Sequence, residues 1–333
     1  MAKIKDSEYL TLATRIHAME GSLLTKERME RVLEARTDEE AVKVLSECGY
    51  RVPGAVTPES VETMLSQRRE ALFRELAGAM PDPRVLDVFR AKQDYHNLKV
   101  LLKAEALGGG FDRLLVDTGR VSPKEMKELL SGTRRGSLPE ALDRAAKQGR
   151  EVLSATGDPQ RLDFCLDRAC FAELGDLARG VGSDYLAGYV ALQVDVANLR
   201  CLVRSIRMKK SPDFLKGILF EGGSVPLSRV LAVAQAEGSG LAELYASTPL
   251  RTCAELGAAA VRGGSLTAFE KECDNCLTRY LAQARRIPFG EAPVIGYLAA
   301  VEGELTNLRI LLSGRMAGLE PETIRERLRE GYV

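Results

Sequence analysis

The amino-acid sequence predicts an all-α protein assembled from three copies of one helical module. Apolar residues recur with a period near 3.6, helix starts are marked by capping residues, and one phrase built on an acid, an asparagine and a leucine occurs three times. The periodicity is visible from the start of the chain. Tyr9, Leu12, Ala13, Ile16 and Met19 share one helical face, as do Val61, Met64 and Leu65, whereas strand-type alternation is scarce. The starts follow from the chemistry of a first turn. A Ser or Thr oxygen accepts from its free amides and a Glu three residues on bonds back, a pattern met by Thr37 with Glu40, Ser122 with Glu125, Ser137 with Glu140 and Thr267 with Glu270. Thr57-Pro58, Ser122-Pro123 and Ser211-Pro212 add a proline where the first turn has no use for an N–H.

The repeated phrase is QDYHNLKVLLKAEALG, then VDVANLRCLVRSIRMKK, then GELTNLRILLSGRMAGL. Asp94, Asn97, Leu98, Lys99 and Leu101 correspond to Asp195, Asn198, Leu199, Arg200 and Leu202, and to Glu304, Asn307, Leu308, Arg309 and Leu311. An acid, Asn, Leu and Lys/Arg at fixed offsets arise by chance at roughly one start in ten thousand, so three copies at intervals of about a hundred residues record duplication. Between the phrases, Phe111, Leu115, Gly119 and Pro123 match Phe214, Ile218, Gly222 and Pro226, and the stretch from Gly21 reads like that from Gly119. The period is too long for common solenoid repeats, so each copy is expected to be a small bundle: residues 1–110, 111–213 and 214–333.

On a helix, Asp94, Asn97, Leu98 and Leu101 fall on one face, and so do their counterparts. A buried amide is costly unless satisfied, so each Asn is expected to bond a neighbouring helix and set its register, with direct contact to a partner as the alternative. A threefold-repeated acid fits duplicated scaffold better than three active sites.

Other features narrow the function. The 47 Lys plus Arg balance 47 Asp plus Glu, so no global basic field exists to hold nucleic acid or anionic lipid, and any partner is bound locally. No phosphate-binding glycine loop occurs, and Gly108-Gly109-Gly110 reads as a helix stop. Two histidines, His17 and His96, are little material for a zinc triad or a proton relay. Cys273-Asp274-Asn275-Cys276 lies mid-helix without a second cysteine pair, so the seven cysteines are read as small core residues of a reducing compartment. No catalytic, cofactor-binding or metal-binding residue is assigned. The N-terminus has no signal-peptide core, and the longest apolar stretch, Val294 to Val301, is too short for a bilayer.

Taken together, the three phrases and the ending EGELTNLRILLSGRMAGLEPETIRERL resemble the C-subunit family of archaeal and bacterial V-type/A-type ATPases, relatives of the d subunit of the eukaryotic V-ATPase. The resemblance runs nearly end to end, and the chain lacks the insertions of the eukaryotic form. It implies a funnel-shaped socket of three pseudo-threefold modules, present once per complex. The implied role is a non-catalytic central-stalk connector that receives the D and F subunits of the shaft and sits on the proteolipid rotor ring. Torque then passes between ATP hydrolysis or synthesis and proton or other ion transport. It also implies peripheral attachment at the cytoplasmic face of the membrane, without a lipid span, nucleic acid or cofactor. The family has no short motif for its partner contacts, so none is carried over. The reading from another class is a free-standing helical adaptor that binds partner helices.

Overall fold

The computed structural model describes residues 4–333, and in it the helical expectation is met: no strand occurs among the described residues. In chain order, α1 (Leu10–Glu20), α2 (Lys26–Glu34), α3 (Asp38–Glu47) and α4 (Pro58–Ala77) come first. They are followed by α5 (Arg84–Leu107), α6 (Pro123–Leu130), α7 (Glu140–Thr156), α8 (Pro159–Val181), α9 (Asp184–Arg207), α10 (Pro212–Ile218), α11 (Leu227–Gln235) and α12 (Leu241–Leu244). The last set is α13 (Arg251–Val261), α14 (Leu266–Ala282), α15 (Ala292–Met316) and α16 (Pro321–Arg327).

Several helix starts form as the capping pattern predicts. Thr37, Ser122 and Ser211 each accept from the amide three residues on, and Thr57 forms a reciprocal box with Ser60 ahead of Pro58. Two expected starts are displaced. α14 begins earlier than Thr267 because Ser265 already accepts from the Ala268 amide, and α7 begins after Pro139, leaving Ser137 outside the helix.

The chain packs as two compact units, 82–246 and 4–81 with 247–333. They divide it at different points from the sequence repeat, because the N-terminal helices pack with the last repeated helix rather than with the first. In the unit 82–246, α5, α7 and α8 pack together, α9 lies against α8, and α10 and α11 rest on α9. Ring contacts between Phe89 and Tyr189 and between Phe171 and Phe220, with centroids 6.1 and 4.8 Å apart, fill the spaces between these helices. In the other unit α15 is the central helix, contacted by α1, α4, α14 and α16. Arg69 from α4 forks onto Glu302 of α15 at 2.6 and 2.7 Å, and Arg309 of α15 forks onto Glu62 of α4 at the same distances.

Tyr9, Leu12, Ala13, Ile16, Val61, Met64 and Leu65 are buried as their periodicity requires, and Met19 is half-buried. Five of the cysteines, including Cys273 and Cys276 inside α14, are buried, and all seven are free thiols. Burial pushes the Cys170 thiol up to about 12. The helix whose length and composition would suit a bilayer is α9, not the stretch from Val294. Two-thirds of its most apolar window is covered by the rest of the protein, so core packing accounts for its hydropathy.

Candidate functional site: three acid–asparagine clamps

The repeated phrase builds the same device three times. Each repeated helix presents a buried asparagine to the extended backbone that follows a short helical turn. Asn97 Nδ2 donates to the Val116 carbonyl at 2.8 Å while its Oδ1 accepts from the Val116 amide at 2.9 Å. Asn198 brackets Phe220 in the same way, at 2.8 Å for both bonds. Asn307 brackets Arg329, at 3.1 and 2.8 Å. The side-chain amide thus imitates one rung of a β-ladder, satisfying the donor and the acceptor of one residue, which is buried at Phe220 and half-buried at Val116 and Arg329. The partner is extended chain in every copy, in place of the expected neighbouring helix. The physical reason is that a helix interior already uses its own amides and carbonyls, whereas the segment after a short turn has both groups unmet.

One turn earlier the acid clamps the backbone that leads into the next helix. Asp94 Oδ1 accepts from the amides of Arg120 and Val121 at 2.9 and 3.2 Å. Asp195 accepts from the amides of Ser224 and Val225 at 2.9 and 3.2 Å, and from the Ser224 hydroxyl at 2.5 Å. Glu304 accepts from the Leu24 amide and from the Tyr50 hydroxyl. Val121, Val225 and Leu24 each stand one residue before the N-cap of the helix that follows, Ser122, Pro226 and Thr25. The third clamp therefore closes on the beginning of the chain, so the N-terminal segment completes the last repeat.

Close approach of the carboxylate demands glycine in the first two copies. A Cβ on Gly119 would lie 2.2 Å from Asp94 Oδ1, and one on Gly223 would lie 2.1 Å from Asp195 Oδ1. The structural counterpart of Gly119 is thus Gly223, one residue beyond the Gly222 paired with it by sequence offset. The third copy carries Ser22 at that place and a glutamate, one methylene longer, as its acid.

Asp94, Asn97, Asp195, Asn198 and Asn307 are at most 2% exposed and Glu304 is 8% exposed, with Leu98, Leu199 and Leu308 fully buried beside them. Burial pushes the Asp94 carboxyl above the usual carboxylate range, opposed by the Arg120 guanidinium, whose Nε lies 2.6 Å from Oδ2. Arg120 continues to Glu173 on α8 at 2.6 Å. Burial also raises Glu304, opposed by the Leu24 amide and the Tyr50 hydroxyl. Neither Arg120, Glu173 nor Tyr50 belongs to the repeated phrase, so no sequence spacing points to them.

Each clamp holds its own loop, with its carboxylate taken up by backbone amides and, in two copies, also by the Ser224 or Tyr50 hydroxyl, an arrangement suited to fixing chain geometry. Among the described residues no group of three or more His, Cys, Asp or Glu side chains is arranged to hold a metal ion. His96 Nε2 lies 2.8 Å from the Leu114 carbonyl beside the first clamp.

Similarity to known proteins extends over nearly the whole chain. It is 26% identical to the C subunit of the V-type sodium ATPase of Enterococcus hirae, over 98% of this chain and 99% of that one. It is 25% identical to the C subunit of the A-type ATP synthase of Methanocaldococcus jannaschii, covering 96% of this chain and 86% of that one. The C subunit of the V-type ATP synthase of Thermus thermophilus is also 25% identical, over 96% of this chain and 98% of its own length. The profile of the ATP synthase (C/AC39) subunit family matches residues 12–327. With all three clamps inside the matched span apart from Arg329, the chain belongs to the ATP synthase (C/AC39) subunit family, an accessory stalk subunit of rotary ATPases rather than a catalytic one.

Proposed function

We propose that this protein is the central-stalk connector of a rotary V-type/A-type ATPase, joining the rotating shaft of the D and F subunits to the proteolipid ring at the cytoplasmic face of the membrane. The observation that carries the reading is the end-to-end family match, residues 12–327. The clamps give it a mechanical basis. A part that passes torque must not yield between its elements, and each junction from a repeated helix to the next segment is fixed by paired side-chain-to-backbone bonds from a buried asparagine rather than left as a free loop. In this reading the modules 1–110, 111–213 and 214–333 are pseudo-threefold copies that together make a funnel-shaped socket, present once per complex.

Reconstitution tests the proposal. The purified chain, mixed with the D and F pair and with the detergent-solubilised ring, is expected to bridge them in a pull-down. Its omission is expected to leave ATP hydrolysis intact in the head while abolishing ion transport. Full coupling without the chain, or no association with either partner, would sink it.

A further inference from the structure

The three clamps hold segments of unequal length. From the asparagine to the residue it brackets, the chain runs 22 positions in the second and third copies and 19 in the first. The longer segments each contain a seven-residue helix opened by a proline, α10 and α16. Leu215 and Ile324, at matching distances before Phe220 and Arg329, are each 1% exposed. α10 lies against α9 and α11, and α16 packs so closely on α15 that a Cβ on Gly314 would come within 2.7 Å of Ile324. In both copies a short helix thus covers the C-terminal end of the repeated helix with an aliphatic side chain.

The first copy has no such cover. Glycines at 108–110 and a single 3₁₀ turn, Asp112–Leu114, stand in place of the helix, and Phe111, the counterpart of Leu215 and Ile324, keeps its ring beside Gly109. An open groove of about 510 Å³ remains between α5, α6 and α7, with Leu101, Ala104, Lys127, Leu130 and Arg150 among its lining residues. Ala104 is half-buried, whereas Ser205 and Gly314 at the same place are buried. Leu130 is likewise half-buried, whereas Ala234 and Leu33 at its place are buried. The rim differs in charge as well. Glu30 of α2 accepts from Arg325, the residue after Ile324, at 2.9 Å. At the matching place in α6, counted from the N-caps Thr25 and Ser122, stands Lys127, whose ammonium lies 3.2 Å from the exposed Asp112 on the groove's own rim.

We infer that this groove is a docking site for a short amphipathic helix of a partner protein, with an Ile or Leu seated against Leu101, Ala104 and Leu130 and a neighbouring acidic residue paired with Lys127. The other two copies show what such a place holds, one short helix with an aliphatic anchor. A second copy of this chain suits it poorly, because Leu215 and Ile324 are each followed by a cation, Lys216 and Arg325, that Lys127 would repel. The inference goes beyond the connector reading and does not depend on it.

The test uses two fluorescent peptides spanning residues 317–328, one native and one carrying Arg325→Glu. Each is titrated by anisotropy against full-length wild type, Lys127→Glu and Ala104→Phe at roughly 50 mM salt. The Arg325→Glu peptide is expected to bind wild type about fivefold more tightly than the native one, and Lys127→Glu, a change at an exposed position, is expected to reverse that order. Ala104→Phe, which fills the groove, is expected to weaken both by about tenfold or more with the thermal midpoint unchanged. No saturable binding of either peptide to wild type up to about 1 mM, or a preference that Lys127→Glu leaves unreversed, would overturn the docking site and leave the connector reading standing. Binding of a fluorescent fatty acid that Ala104→Phe abolishes, with neither peptide bound, would assign the groove to an acyl chain and equally overturn the proposal.

Discussion

Glu304, deep in the last long helix, accepts a hydrogen bond from the backbone amide of Leu24, 280 positions earlier in the chain. Asp94 and Asp195 make the equivalent bond to segments that follow them, so the repeat closes on itself through its two ends. The C-terminal segment is fastened to the same helix, where Asn307 brackets Arg329, and to α1, where the Tyr332 hydroxyl lies 3.0 Å from Glu20. The segments around Leu24 and Arg329 are therefore both structural parts of the third repeat.

Removing that bond should loosen the N-terminal segment first. In Glu304→Ala the Leu24 amide and the Tyr50 hydroxyl lose a charged acceptor in a buried setting, at a cost of about 2 to 3 kcal/mol. Hydrogen exchange is expected to show the Leu24 amide losing protection well before the amides of α9, and equal protection in variant and wild type would contradict the latching role.

The asparagines should each carry stability in the isolated protein. Asn97→Ala, Asn198→Ala and Asn307→Ala each leave a backbone donor and acceptor unmet, fully buried at Phe220 and half-buried at Val116 and Arg329, costing about 1 to 3 kcal/mol with the largest loss at Asn198. The clamps share no hydrogen-bond partner, so the losses are expected to add in double variants. Urea midpoints of the singles and doubles measure both effects. Unchanged midpoints combined with failed assembly would instead mark these residues as partner contacts.

Glycine substitutions separate close approach from helix propensity. Gly119→Ala and Gly223→Ala place a methyl against a clamp carboxylate and are expected to destabilise by about 1 to 3 kcal/mol as loop or carboxylate is displaced. Gly303→Ala, inside α15 where an added Cβ meets nothing within 4 Å, is expected to gain about 0.5 to 1 kcal/mol. Thermal midpoints moving in the same direction for all three would refute the steric account.

The buried Glu304 gives a pH dependence of defined sign. Its carboxyl is raised above the ordinary value of 4.5, so the folded chain holds this proton more tightly than the unfolded one. The contribution is fully present below about 4.5 and is lost as pH rises through the folded-state value. Glu304→Gln cannot titrate there, so the stability of wild type relative to this variant is expected to fall as pH rises from about 4 to about 7. Urea midpoints at several pH values across that range give the comparison, and parallel profiles would rule out the raised carboxyl.

Much of the molecule is legible in local sequence. Helix faces follow the 3.6-residue period because only one side of each helix can be withdrawn from water, and the caps at Thr37, Thr57, Ser122 and Ser211 follow because four amides at each start need acceptors. The threefold phrase singles out Asn97, Asn198 and Asn307, and their side chains are buried and paired. Sequence by itself does not say what they hold. The bracketed backbone of Val116, Phe220 and Arg329 has no residue-type signature, since an amide and a carbonyl are common to almost every residue. Nor does it fix Gly223 over Gly222, because a shift of one residue is invisible until the carboxylate's position is known. The closure of Glu304 on Leu24 and Tyr50, and the chain from Asp94 through Arg120 to Glu173, join groups remote in sequence. Such pairings are decided only when packing of the helices brings their ends within hydrogen-bond reach and burial makes an unpaired charge too costly to leave.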